Sequence, residues 1–263
     1  MWYDSTPMSN PDRSLHLYLS PHFDDAVFSC GGRIWRQAQP GGRVKVVTVF
    51  GGVPGVESRL SPYAQQLHAR WGRPEAVQQR RSEDVEALAL LEAEPIHWSY
   101  PDCIYRTTPE GDFPYASEEA LWGEVHRSDA GMIDELAHRI RALPLASSGR
   151  LYAPLGIGSH VDHRIVRRAA EVSGRPLIHY EDFPYAQDPQ AVRGALIPDL
   201  WEPELVPLSE QALEAKVAAI ACYSSQISTF WGSRDAVNAT VRAFAEQTGR
   251  GKPAERYWHL VGP

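Results

Sequence analysis

The run VKVVTVF, residues 44–50, constrains this chain more than any other stretch. Nearly every position is apolar or β-branched, without the polar alternation of a strand that turns one face to water. Such a strand must be covered on both faces, and sheets covered on both faces are mostly parallel, with helices carrying the chain back over them. The neighbouring segments supply those helices. Residues 15–19 (LHLYL) read as a strand, and residues 26–39 as a helix stopped by Pro40, Gly41 and Gly42. Further strands are expected at 96–100, 150–156, 176–185 and 255–261, and helices at 75–92, 118–125, 133–143, 161–172, 210–230 and 236–246. Segment 54–73 reads as a long loop, and segment 186–208, with its four prolines, as irregular. Strand–helix alternation of this kind predicts an α/β fold: a three-layer Rossmann-like sandwich with a mostly parallel central sheet flanked by helices. With no low-complexity break, residues 1–263 are expected to form a single domain.

Ligands of such sheets bind beyond the carboxyl ends of the strands, where loops turn into helices. Two strand ends here are unusual. The first, SPHFDDAVFSCGG at residues 20–32, places His22, Asp24 and Asp25 in one turn; the second, LGIGSHVDHRIV, does the same with His160, Asp162 and His163. His22 and Asp25 are three residues apart, as are His160 and His163, so each segment can present two groups on one face of a starting helix. Imidazole and carboxylate are zinc ligands, and catalytic zinc uses three protein ligands and an open position. A lone acidic turn would be read as a helix cap. Two such turns, each ending an apolar strand, are better explained by a cation between them. The residues alone leave open which of His160 and His163 would bind it. The glycines of LGIGSH lack the third member of a dinucleotide fingerprint and are set aside.

Composition narrows the partners. The chain carries 26 basic and 33 acidic residues, a net charge of −7 without long runs, so the basic footprint of a nucleic-acid binder is missing. No stretch approaches the roughly 18 apolar residues of a membrane span, and the start of the chain has no signal-peptide pattern. Cys30, Cys103 and Cys222 are few, odd in number and widely spaced, which fits a reducing, cytoplasmic setting and buried thiols. Assembly into a homo-oligomer remains open.

The motifs resemble the PIG-L / LmbE-like family of zinc-dependent N-deacetylases. The family turn Pro-His-Pro-Asp-Asp closing with Gly-Gly corresponds to PHFDDAVFSCGG (residues 21–32), and its later His-x-Asp-His to HVDH (residues 160–163). Its Arg-x-x-Glu helix is matched by Arg80 and Glu83, and its Lys…Ser-Gln helix more faintly by Lys216, Ser225 and Gln226. The resemblance implies one Zn2+ per chain, with other divalent metals as alternatives, held by His22, Asp25 and His163. It implies Asp24 as general base, and His160, held by Asp162, as an imidazolium that donates to the oxyanion or the leaving amine. It also implies substrate contacts from Arg80, Asp102 and Arg106, and an N-acetylglucosamine-type amino sugar or its conjugate as the small-molecule substrate.

Three departures from the pattern stand out: Phe23 replaces the second proline, Gly158 sits where some members carry a tyrosine that helps hold the intermediate, and Glu92 replaces a helix-ending glycine, so that a different C-cap is expected. The aromatic, acidic stretch YEDFPYA (residues 180–186) reads equally as a sugar-stacking rim or as core, and Phe230 and Trp231 read as helix-end packing. Two other functions share these motifs: an amidase of the same fold acting on a larger amide conjugate, and a catalytically silent carbohydrate- or metal-binding protein. A spare Asp24 beside a full ligand set argues against the silent binder, since binding needs no base.

Overall fold

The computed structural model describes residues 14–55, 58–71 and 76–261. Among these, seven strands form one sheet: β1 (Leu15–Ser20), β2 (Arg43–Thr48), β3 (Glu94–His97), β4 (Arg150–Pro154), β5 (Leu177–Tyr180), β6 (Trp201–Pro207) and β7 (Ala254–Leu260). The helices are α1 (Asp25–Ala38), α2 (Pro62–Trp71), α3 (Ala76–Leu90), α4 (Glu118–Leu121), α5 (Ala130–Arg141), α6 (Val161–Val172), α7 (Pro189–Ala195), α8 (Glu210–Ile220), α9 (Ser224–Phe230) and α10 (Arg234–Thr248). No helix among the described residues is long and apolar enough to cross a membrane.

The spatial order is β3-β2-β1-β4-β5-β7-β6. Strands β1 to β5 pair in parallel, and β7 runs antiparallel to both β5 and β6. From β1 the chain winds outward through β2 and β3, then returns to the other side of β1 as β4. The order therefore reverses between β1 and β4, and such a switch point opens a crevice at the carboxyl ends of the two strands. Both sequence motifs leave the sheet there.

The sheet is buried on both faces, as the β2 run demands. Along β1, Tyr18 enters a core built with Val27, Phe28, Leu88, Leu213 and Val237, while Leu17 and Leu19 enter another with Leu136, Ile140, Ile165 and Val166. Each such side chain contributes on the order of 1.5–3 kcal/mol when fully buried. Gly32 lets α1 pass close to the segment before α8: a Cβ there would stand 2.7 Å from Leu208 Cδ2.

Several elements differ from the sequence reading. Segment 54–73 contains the helix α2, although residues 56, 57, 72 and 73 lie outside the described set, as does the first residue of the helix expected at 75–92. Segment 186–208 is ordered as α7 and β6. Its prolines sit where they are tolerated: Pro189 is the first residue of α7, behind an Asp188 cap, and Pro203 and Pro207 lie on an edge strand. The helix expected at 210–230 breaks at residues 221–223, and the one at 118–125 reduces to the single turn of α4. Strand β5 ends at Tyr180, short of the expected residue 185. Glu92 takes φ 55°, the left-handed conformation a glycine would supply, so the α3 cap keeps the glycine geometry that the substitution was expected to change. Cys30 and Cys103 are buried and Cys222 half-buried, and all are free thiols.

Candidate metal centre

The turn after β1 is built by its own side chains. Ser20 Oγ donates to the His22 carbonyl at 2.5 Å and accepts from the Ala26 amide at 3.0 Å, and Asp25 Oδ2 accepts from the His22 amide at 2.7 Å. The Phe23 carbonyl lies 3.0 Å from the Tyr223 hydroxyl, which is 2.7 Å from the buried Asp84. Helix α1 then starts at Asp25. After β4, His160 is the N-cap of α6, and Asp162 and His163 occupy its first turn. The two turns meet over the crevice, with the His22 ring 5.1 Å from His160 and 5.5 Å from His163.

Hydrogen bonds separate the three imidazoles. His163 Nδ1 lies 2.7 Å from Asp182 Oδ1, so it carries the proton and leaves Nε2 as a lone pair. That Nε2 is buried, has no hydrogen-bond partner, and stands 3.3 Å from Asp25 Oδ2. His22 Nε2 is 3.0 Å from Asp162 Oδ2, which leaves Nδ1, 3.2 Å from the same Asp25 Oδ2. His22 Nδ1 and His163 Nε2 thus both face Asp25 Oδ2. Each imidazole has its far nitrogen on a buried carboxylate, the arrangement that orients metal-ligating histidines.

His160 is also close enough, since a nitrogen from each of His22, His160 and His163 lies within 4.8 Å of the others. Its Nδ1, however, accepts the Asp162 amide at 3.2 Å, so its proton sits on Nε2, which is a donor. The Asp25-centred set therefore has the donor chemistry better suited to hold a metal. An orphaned buried nitrogen beside a carboxylate fits a divalent cation.

The charges agree. Although burial disfavours the imidazolium, Asp25 and Asp182 lift His163 to about 10, and Asp102, Asp162 and Asp25 lift His22 well above its usual value. Burial opposes ionisation of Asp25 as well, but His163 and His22 hold its carboxyl well below the usual range. The surroundings favour positive charge at this point, the electrostatic requirement of a cation site.

Asp24 points elsewhere. It is 4% exposed, and its Oδ1 is 3.3 Å from Arg80 Nη2. Burial pushes its carboxyl up, Arg80 pulls it back and Asp25 adds to the rise. Arg80 is itself buried, over the Trp71 ring at 5.1 Å. The neighbouring Glu83 accepts from Ser224 Oγ, from the Ser225 amide and from Ser225 Oγ at 2.6–3.0 Å, starting α9; the faint Lys…Ser-Gln echo thus joins the Arg-x-x-Glu helix.

Two expectations need correction. The Asp162 carboxylate does not hold His160; it binds His22, the Cys103 amide and the Arg106 guanidinium. His160 is consequently not an imidazolium, because burial and the neighbouring His22 push its pKa well below the usual value. Arg106 does not reach the crevice. It is 5% exposed and lies between Asp162 and Asp129, balancing the charge behind His22. Asp102 does line the crevice, with Oδ2 3.6 Å from His22 Nε2.

The crevice opens into a cleft of about 310 Å³ whose lining includes the polar His22, Asp24, Asp25, Arg80 and His160 and the largely apolar Tyr63, Trp71, Leu121, Trp122, Tyr185 and Phe230. An apolar wall with a few convergent polar groups is the usual make-up of a small-molecule site. Phe230 reaches it, whereas Trp231 packs on Phe28 and Phe183. Sequence reasoning missed Asp182 and Tyr185. Both lie in YEDFPYA directly after β5, and a position just past a parallel strand was the available signal.

Comparison with known proteins supplies independent findings. A family model described as PIG-L, GlcNAc-PI de-N-acetylase, matches residues 17–172. The 2'-N-acetylparomamine deacetylase of Niallia circulans is 29% identical over 239 residues, 85% of this chain and 84% of that protein. The solved zinc-inhibited form of teicoplanin deacetylase Orf2 superposes with a TM-score of 0.81 at 29% identity, covering 94% of this chain and 98% of its own. The A40926 pseudoaglycone deacetylase Dbv21 superposes with a TM-score of 0.73 at 30% identity, over 95% of this chain and 98% of its own.

Proposed function

The chain belongs to the PIG-L family, and from that premise we propose that it is a zinc-dependent hydrolase that removes the N-acetyl group of an N-acetylglucosamine-type amino sugar carried on a larger molecule. The observation that carries this reading is the division of labour between adjacent aspartates. Asp25 joins His22 and His163 around one point, while Asp24 is buried beside Arg80 and faces the same cleft. A protein that only binds has no use for that second carboxylate.

In this reading His22 Nδ1, Asp25 Oδ2 and His163 Nε2 hold one zinc per chain. A zinc held there would supply Lewis acidity for activating water and polarising the amide carbonyl. Asp24 takes the proton of the attacking water and passes it on towards the departing amine. Its raised pKa suits a group that must both accept and release a proton. Arg80 keeps that carboxylate in place. His160, neutral and with its proton on Nε2, donates a hydrogen bond to the carbonyl oxygen as charge builds there. Asp162 and Asp182 set the tautomers of His22 and His163, and Arg106 offsets the Asp162 charge. Asp102 and the aromatic walls meet the sugar and what it is attached to. The relatives named above are, by their names, deacetylases of 2'-N-acetylparomamine, of teicoplanin and of the A40926 pseudoaglycone, which supports an acetylated amino sugar carried on a larger molecule.

The test is Asp24→Asn assayed against wild type on N-acetylparomamine, N-acetylglucosamine glycosides and N-acetylated nucleotide sugars, measuring free amine. We expect zinc content and melting temperature to stay within error while turnover drops by roughly a hundredfold or more. Near-normal turnover of Asp24→Asn, or a wild type inactive on the whole panel, would refute the reading.

A further inference from the structure

We infer that Tyr185 is a substrate-contacting hydrogen-bond donor of this site, holding the acyl oxygen from the wall of the cleft it shares with Asp24. The inference rests on the deacetylase reading above and adds a residue to it.

Its hydroxyl is unlike those of the other enclosed tyrosines. The Tyr18 hydroxyl reaches Gln37, Tyr115 reaches Asp129, Tyr180 the Leu19 carbonyl, Tyr223 Asp84 and Tyr257 Glu255. An enclosed phenol normally finds such a partner. Tyr185, half-buried in the cleft wall, has no hydrogen-bond partner for its hydroxyl among the described residues, and it shares its cleft with Asp24, Asp25 and His160. Tyr63 also lines the cleft, but Tyr185 is the one that packs on a metal-site ring, 5.9 Å from His163 at an interplanar angle of 80°.

The ring is also held firmly. Trp122 meets it edge-on at 5.4 Å and Phe230 at 6.5 Å. Gly158, at φ +86°, clears the space: a Cβ there would stand 2.9 Å from Tyr185 Cγ and 3.1 Å from its Cβ. The segment bearing Tyr185 is pinned by Asp182, whose Oδ1 holds His163, whose Oδ2 accepts the Ile157 amide at 3.0 Å, and whose carbonyl accepts the Ala186 amide at 2.9 Å. One residue therefore positions both the His163 imidazole and the Tyr185 backbone, so the phenol keeps a fixed place relative to the metal point.

A firmly held phenol with an unpartnered hydroxyl, in the cleft that Asp24 and Asp25 also line, has an evident use. When water adds to the amide carbon, the carbonyl π pair moves onto oxygen, and the water's proton goes to Asp24. The Tyr185 hydroxyl donates a hydrogen bond to that oxygen and keeps its own proton throughout. His160 Nε2 supplies a second donor, so the oxygen is held from two sides.

The experiment compares Tyr185→Phe, Asp24→Asn and wild type, all zinc-loaded, on the best substrate of the panel above. Tyr185→Phe keeps the ring contacts, so its zinc content and melting temperature should match wild type. We expect kcat to fall by roughly tenfold to a hundredfold, with KM changed less than about threefold, because the donor acts chiefly on the developing charge. Unchanged kcat, or a loss confined to KM, would overturn the inference, and if Asp24→Asn were still crippled the deacetylase reading would survive that failure. If Asp24→Asn retained full activity instead, the reading itself would fall, and this inference with it.

Discussion

Asp182→Asn is the sharpest test of the metal centre, because Asp182 lies behind the proposed ligands and the substitution keeps its size while removing a charge and one acceptor. Both carboxylate oxygens are acceptors: Oδ1 for the His163 Nδ1 proton at 2.7 Å and Oδ2 for the Ile157 amide at 3.0 Å. An amide cannot replace both. If the Asn oxygen faces His163, its NH2 opposes the Ile157 N–H, and a buried donor is left unsatisfied at a cost of about 1–3 kcal/mol. If the NH2 faces His163, the imidazole must offer Nδ1 as acceptor, its proton moves to Nε2, and the lone pair facing Asp25 is lost. Either way the favourable charge around His163 also weakens, since Asp182 helps lift that imidazole to about 10. Loss of such a partner typically weakens metal affinity by about 10- to 100-fold, or roughly 1.4–2.8 kcal/mol. Competition with a chromophoric chelator at pH 7 measures the dissociation constant of zinc directly, and denaturant unfolding of chelator-treated protein measures the stability arm. Zinc affinity within about twofold of wild type, with unfolding free energy unchanged, would refute the proposed role of the orphaned His163 Nε2.

The remaining predictions concern the surrounding groups. His163→Ala should abolish retention of metal through dialysis, whereas His160→Ala should retain it and lose roughly a hundredfold in turnover; the reverse pattern would exchange their roles. Arg106→Met leaves Asp162 charged and buried without its guanidinium, so denaturant unfolding should show a loss of about 3–5 kcal/mol, and a loss below about 1 kcal/mol would contradict the pairing. His179, on β5, has both ring nitrogens buried without partners, and burial lowers its pKa to about 3. The unfolded chain takes up this proton below about pH 6.5 while the fold refuses it, so its contribution is fully present above 6.5 and is lost as pH falls towards 3. At about 1.4 kcal/mol per pH unit that is at most about 2 kcal/mol by pH 5. His179→Leu should flatten this part of the acid limb, and an unchanged slope would count against it.

Much of the architecture was legible because local chemistry repeats the global constraint. The continuous apolar character of residues 44–50 required a sheet covered on both faces, and the helix at residues 161–172 appears with those bounds because its period, start and end signals agree. The acidic and histidine-bearing turns were legible for the same reason, since no core or surface need accounts for two of them at strand ends. The regions misread are those where a residue has two meanings. Pro189, Pro203 and Pro207 signal irregular chain in isolation, and only their places at a helix start and on an edge strand make them compatible with α7 and β6. Glu92 read as a changed cap, yet it adopts the backbone of the glycine it replaces.

Taken alone, the sequence determined the fold class, the two strand ends that carry chemistry, and the residue types that meet there, because these follow from periodicity and from side chains near one another in the chain. It could not distribute the protons. Whether His160 or His163 offers a lone pair depends on which partner holds the other nitrogen: the Asp162 amide, two residues on, in one case, and Asp182, beyond the next strand, in the other. Arg106 looked like a substrate contact and proved to be a buried counter-ion, and Tyr185 was one aromatic among several until the space above Gly158 was seen to be filled by its ring. The His22 tautomer, the buried charge balance of Asp162 and the seating of the Tyr185 ring are set by groups tens of residues apart, and only the packed tertiary structure brings those groups within a few ångströms of one another.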